Sequence, residues 1–200
     1  PRVFSNTAFS YSQRHNNTGI GIGGRFLFDK GYRRLNDEKL GNINLKIKQH
    51  SVKFDGLTYG LQINTGYQER TDFLLWENAD TGALRQNEST ASPLKAFMMT
   101  IDPYPTIDKG GDVKHDLRVR YQTTRNNLPE APNNNSNAHS LFSEYQLSYS
   151  IITNLHLIAG AAATYSRILS AFHGNHSGLN LAGFTQIDYR LWERLKLQAG

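Results

Sequence analysis

The sequence predicts an all-β chain, an antiparallel transmembrane β-barrel of which these 200 residues supply about ten strands of a larger ring. Three observations predict it. Apolar and polar residues alternate with period two in segment after segment, helical spacing at i, i+3, i+4 wins in no window, and short and long connections take turns along the chain.

The strands follow in order. "RVFSNTAFSYSQR" opens as a strand from Arg2 to Arg14. "GIGIGGRFLF" lines up Ile20, Ile22, Phe26 and Phe28. "NINLKIKQ" sets Ile43, Leu45 and Ile47 against Asn42, Asn44, Lys46 and Lys48. In "LTYGLQINTGYQER" Leu57, Tyr59, Leu61, Ile63 and Tyr67 point one way, and Thr58, Gln62, Asn64 and Gln68 the other. "IDPYPTID" holds Pro103 and Pro105, each of which lacks a ladder donor, so it reads as a strand terminus or a bulge just before the "DKGGD" turn. "HDLRVRYQTT" opposes Leu117, Val119 and Tyr121 to Arg118, Arg120 and Gln122. "SEYQLSYSI" opposes Tyr145, Leu147, Tyr149 and Ile151 to Glu144, Gln146, Ser148 and Ser150. "LHLIAGAAATYSR" has Leu155, Leu157, Ala159, Ala161 and Tyr165 on one face. "LNLAGFTQIDYRLW" aligns Leu179, Leu181, Ile187, Tyr189 and Leu191.

Short connections are "HNNTG" (15–19), "KFDG" (53–56), "DKGGD" (108–112), "ITN" (152–154) and "WER" (192–194), with Asn, Asp and Gly suited to hairpins. Between them lie 29–39, 76–93, 126–139 and 170–178. A transmembrane barrel has a reason for this alternation, since its periplasmic ends are tight turns and its external ends long loops. Its sheet must close, because no backbone group can stay unpaired in hydrocarbon. On this reading strands of roughly ten residues cross, the first descends toward the periplasm, and both ends look cut from a chain of several hundred residues.

Composition agrees. A mean hydropathy of -0.55 is too polar for helical spans, and ten Tyr, ten Phe and two Trp are too aromatic for disorder. No secretory leader is evident. The absence of cysteine excludes disulfides and thiolate metal sites. The net charge of +5 is scattered along polar faces, which argues against nucleic acid as a partner.

Two stretches carry a family resemblance. "FMMTIDPYPTIDKGGDVKHDLRVRYQTTRNN" (97–127) and "AHSLFSEYQLSYSIITNLHLIAGAAATYSR" (138–167) resemble the barrel of Bacteroidetes-type TonB-dependent outer-membrane receptors. The likeness spans essentially all 200 residues as a pattern and not as an invariant catalytic motif. It implies a 22-stranded barrel, a plug domain in its lumen, and energised import through TonB. Neither the plug nor the TonB-contacting box is in this sequence. The expected partners are outer-membrane lipid, the TonB complex reached through an N-terminal region, the transported ligand, and a surface lipoprotein.

The function this implies is import of a scarce nutrient, an iron-siderophore or haem, across a Gram-negative outer membrane. The rivals are a passive porin or adhesin barrel, a SusC-like glycan importer, and a soluble β-sandwich. Trp76, Arg85, His173 and His176, on the long loops, are the candidate ligand contacts. "HGNH" could hold haem iron or a divalent ion, although a polar solvated loop is the simpler and favoured account. Gln62, Asn64, Arg118 and Arg120 face the lumen. Tyr67, Tyr121, Tyr149 and Tyr189 are expected in an aromatic girdle, together with Tyr11, Tyr165, Trp192 and Trp76, which could instead serve as a ligand platform. In "GIGIGG", glycines alternate with isoleucines inside a strand and no helix follows, so it is no dinucleotide loop. Gly21 and Gly23 would leave room for a plug. No Ser, His and Asp grouping suggests catalysis, and no cofactor or metal is expected.

Overall fold

The computed structural model describes residues 3–31, 35–73, 76–78, 80, 87–192 and 195–200. It contains ten strands: β1 (Phe4–His15), β2 (Thr18–Asp29), β3 (Glu38–His50), β4 (Leu57–Phe73), β5 (Ala91–Asp108), β6 (Val113–Asn127), β7 (Ser136–Ile152), β8 (Leu155–Ser170), β9 (His176–Trp192) and β10 (Leu195–Ala199). Glu88–Thr90 and Pro132–Asn134 form single 3-10 turns. The strands make one sheet in strictly sequential order, each antiparallel to the next, with β1 and β10 at its edges.

Register transmits the period-two pattern of each strand to its neighbours, because directly opposed residues share a face. One row reads Tyr11, Ile22, Leu45, Ile63, Ile101, Tyr121, Leu141, Tyr165 and Leu179 from β1 to β9. Gln62, on the other face, lies level with Ser12, Gly21, Lys46 and Asp102. The sheet therefore has one apolar and one polar face along its whole width. Among the described residues no hydrophobic side chain is buried, and Leu181 remains 74 % exposed. Among the described residues no second sheet covers the apolar side.

Three corrections concern lengths. The strands from β4 to β9 run to 15–18 residues, beyond the roughly ten expected. The supposed loops 126–139 and 170–178 shrink to 128–135 and 171–175, because Asn126 still pairs with Ser136 and Ile168 with His176. Ladder hydrogen bonds are made by backbone, so polar Asn and Ser prolong a strand that their side chains disguise as loop. The alternation of connection length also has an exception, since 51–56 is longer than 171–175. It is folded on itself: Ser51 N–H donates to Leu57 O at 2.8 Å, and Ser51 Oγ accepts from the N–H of Phe54 at 3.0 Å. Gly56 closes it at φ 74°, where a Cβ would lie 2.4 Å from Asp108 O.

Three glycines seat aromatic rings from the facing strand. A Cβ at Gly24 would lie 2.5 Å from the Phe9 ring, at Gly60 2.5 Å from Tyr104, and at Gly160 2.4 Å from Phe184. Each ring belongs to the glycine's register partner, so the missing side chain is the space the ring occupies.

Candidate functional site

Pro103 and Pro105 lie inside β5 and do not end it, which places the expected strand terminus at Asp108. Asp108 N–H donates to Gly56 O, so even-numbered β5 residues bond to β4 and odd-numbered ones, both prolines included, face β6. The β4–β5 ladder is accordingly unbroken. On the β6 side pairing stops after Ile101–Tyr121 and resumes at Thr106–Asp116. Two missing donors thus open a gap in the β5–β6 ladder opposite Leu117 and Val119.

Over this gap lies a cavity of about 580 Å³ whose polar lining comes from Gln62, Asp102, Thr106, Asp116, Arg118 and Arg120. Arg120 grips Asp102 with two parallel hydrogen bonds, Nε to Oδ1 at 2.8 Å and Nη2 to Oδ2 at 2.9 Å. Thr106 Oγ1 donates to Asp116 Oδ1 at 2.7 Å, and Lys114 Nζ lies 3.1 Å from the same carboxylate. Arg118 is held more loosely: its guanidinium is 3.9 Å from Glu144 and 65 % exposed. It is therefore the cation in this group with most capacity left for a planar anion, while Asp102 and Arg120 hold each other.

Gln62, Arg118 and Arg120 line this one cavity, and Asn64 stands beside Gln62, donating to Thr100 Oγ1 at 3.0 Å. Tyr67, Tyr121, Tyr149 and Tyr189 all lie on the opposite, apolar face. Tyr67 OH donates to Glu69 Oε1 at 2.7 Å, and Tyr121 OH lies 2.8 Å from His139 Nδ1. Tyr121 is mid-strand in β6 and not near its end.

Among the described loop candidates, Trp76 and the two histidines stand at different connections. Trp76 is exposed on the β4–β5 connection, and His173 and His176 stand on the β8–β9 side. Arg85 lies outside the described residues. His176 Nε2 is 2.7 Å from the His173 carbonyl oxygen, and Phe172 meets the His173 ring edge-on at 4.8 Å. The pair is thus engaged locally and not aimed at a common centre. Among the described residues no three His, Asp or Glu side chains are grouped to hold a metal.

Sequence reasoning missed the carboxylates Asp102, Asp116 and Glu144. Asp102 was hidden by its prolines, which drew "IDPYPTID" toward a strand end. A signal was present nonetheless, because Asp102 shares the parity of Tyr104 and Thr106 in a strand that continues to Asp108. No family model matches this chain, and no curated protein matches it either.

Proposed function

We propose that this chain forms part of the wall of a transmembrane β-barrel in a Gram-negative outer membrane, and that the barrel actively imports a scarce nutrient with TonB-derived energy. The reading rests on one observation above all: a single ten-stranded sheet with an apolar face, a polar face and, among the described residues, no hydrophobic core. Lipid covers such an apolar face without a second protein layer, and a wet lumen solvates the other.

Dimensions support the same reading. From Leu57 to Tyr67 the apolar face of β4 runs about 34 Å along the strand, or about 26 Å in height at a tilt near 40°. An apolar band is about 25 Å tall. The remaining length of the 15- to 18-residue strands carries the long connections clear of the membrane. The edges β1 and β10 pair with further strands of the ring.

Import is favoured by the cationic group on the polar face. A guanidinium as open as Arg118 suits the carboxylates of haem or of an iron chelate. A plug gates the lumen, TonB acts through an N-terminal region, and a surface lipoprotein is a further partner. The test is uptake of radiolabelled haem and ferric chelates by cells with and without the protein, each with and without a protonophore. The expected uptake needs both the protein and the proton-motive force. Uptake indifferent to the protonophore refutes energised import, and recovery of the protein in the soluble fraction refutes the barrel.

A further inference from the structure

The apolar face carries few charges, and they are not spread over it. Along the ten strands its described Lys, Arg, Asp and Glu residues are Lys39, Glu69, Lys95, Arg125 and Arg167. All five stand at the end of the long connections. Lys39, Glu69 and Lys95 share a register row, Arg125 is in the next, level with Tyr67 and Phe97, and Arg167 in the one after, level with His139. The short-turn end of the same face has Gln13, His15, Gln49, His115, Tyr149 and Tyr189, and no Lys, Arg, Asp or Glu.

The balance is four cations to one carboxylate. Glu69 is shared, with Lys39 Nζ at 3.0 Å and Lys95 Nζ at 3.6 Å. Arg125 and Arg167 are exposed and have no hydrogen-bond or ion-pair partner among the described residues. They stand two strand spacings, about 10 Å, apart across the sheet and two residues, about 7 Å, apart along it, about 12 Å in all, with β7 between them, so both side chains can reach one anion lying over β7. Just below come Tyr121, Leu141 and Tyr165, rings and aliphatic chains on the same face. A ligand that satisfies both levels has an anionic head and a hydrocarbon body.

We propose that this one-sided cationic belt, centred on Arg125 and Arg167, binds the phosphate groups of lipid headgroups in the leaflet on the long-connection side. The inference rests on the barrel reading above and adds a lipid specificity to it. Guanidinium groups bind phosphate bidentately, and each basic residue near a lipid surface strengthens attraction to anionic headgroups severalfold.

The experiment is native mass spectrometry of the intact protein in neutral detergent, titrated with phosphorylated lipid A and with the same lipid after dephosphorylation. Wild type is expected to retain the phosphorylated form at least about tenfold more tightly. R125Q with R167Q loses that preference, whereas R125K with R167K keeps most of it, which separates loss of charge from loss of fold. R118Q, on the other face, leaves it unchanged. Equal retention of both lipids by wild type, or an undiminished preference in the double Gln variant, overturns the proposal and leaves the barrel intact. Displacement by millimolar inorganic phosphate alone also overturns it, as a free-anion site. A wild-type protein that is soluble without detergent and retains neither lipid overturns the barrel reading itself.

Discussion

Ile63 and Gln62 are adjacent in β4 and oppositely placed, so one substitution applied to each isolates the environment of a face. Ile63 pairs with Leu45 and Ile101, and lies six residue steps from Leu57 and four from Tyr67, near the middle of the apolar band. In the proposed barrel, I63R places a guanidinium at mid-depth, which is expected to cost about 2–4 kcal/mol. This is a fall of about 30- to 700-fold in the folded-to-unfolded ratio. Q62R puts the same group level with Lys46 and Asp102 over an open polar cavity, where a change within about 0.5 kcal/mol is expected. The measurements are the urea midpoint of the intact protein in detergent and the amount assembled in the membrane fraction. Equal effects at the two positions would refute the two-faced wall, and a larger effect at Gln62 would invert the assignment of the faces.

Replacing Pro103 and Pro105 together with Thr restores two ladder donors, so amide hydrogen exchange at Leu117 and Val119 is expected to slow at least about tenfold, and unchanged exchange would show that the gap has another cause. G60A drives a Cβ into Tyr104 and into Ile47 O, each 2.5 Å away, and is expected to cost about 1–3 kcal/mol in thermal stability, whereas G21A, with no contact nearer than 3.9 Å, stays close to neutral. R118Q is expected to reduce ligand uptake severalfold without moving the urea midpoint, because an exposed pair at 3.9 Å contributes less than about 1 kcal/mol to stability. A parallel drop in stability and uptake would recast Arg118 as structural.

The fold was legible to the extent that one strand's own side chains declare it. Each alternating stretch from "GIGIGG" to "LNLAGFTQIDYRLW" became a strand with the expected face, since period two leaves no other regular element. Boundaries were not legible where backbone pairing outruns side-chain pattern, as at Ser136 to His139 and His176 to Gly178. The site was half visible. Gln62, Arg118 and Arg120 were found because amides and guanidinium groups interrupt a greasy alternation. Asp102 was not, because its significance depends on Arg120, eighteen residues away and across a gap that the sequence shows only as two prolines. His173 and His176 looked alike as a pair, yet their relation depends on a backbone turn that brings an imidazole onto a carbonyl.

The polar face is not uniform along the sheet, and the middles of its two halves suit different tasks. On β2 to β4 its middle holds Gly21, Asn42, Asn44, Gln62 and Asn64, small residues and amides, with Lys46 and Lys48 toward the short turns and Arg25, Glu38 and Arg70 toward the long connections. A Cβ at Gly21 would make only ordinary contacts, so this part of the surface has room for a bulkier neighbour, while Gly23 is tighter, at 3.0 Å from Asn44 Nδ2. On β5 to β7 the middle of the face holds paired carboxylates and cations, beside the one interior interruption, among the described strand pairings, at which several consecutive rungs are missing. A packing surface against another protein layer needs small, uncharged residues, whereas retention of an anionic solute needs an incompletely neutralised cation. If both tasks are present they separate by mutation. G21W is expected to disturb assembly with an internal domain and leave binding at Arg118 intact, and R118Q to do the reverse. Loss of both functions from either change would show that the two halves of the wall act as a single surface.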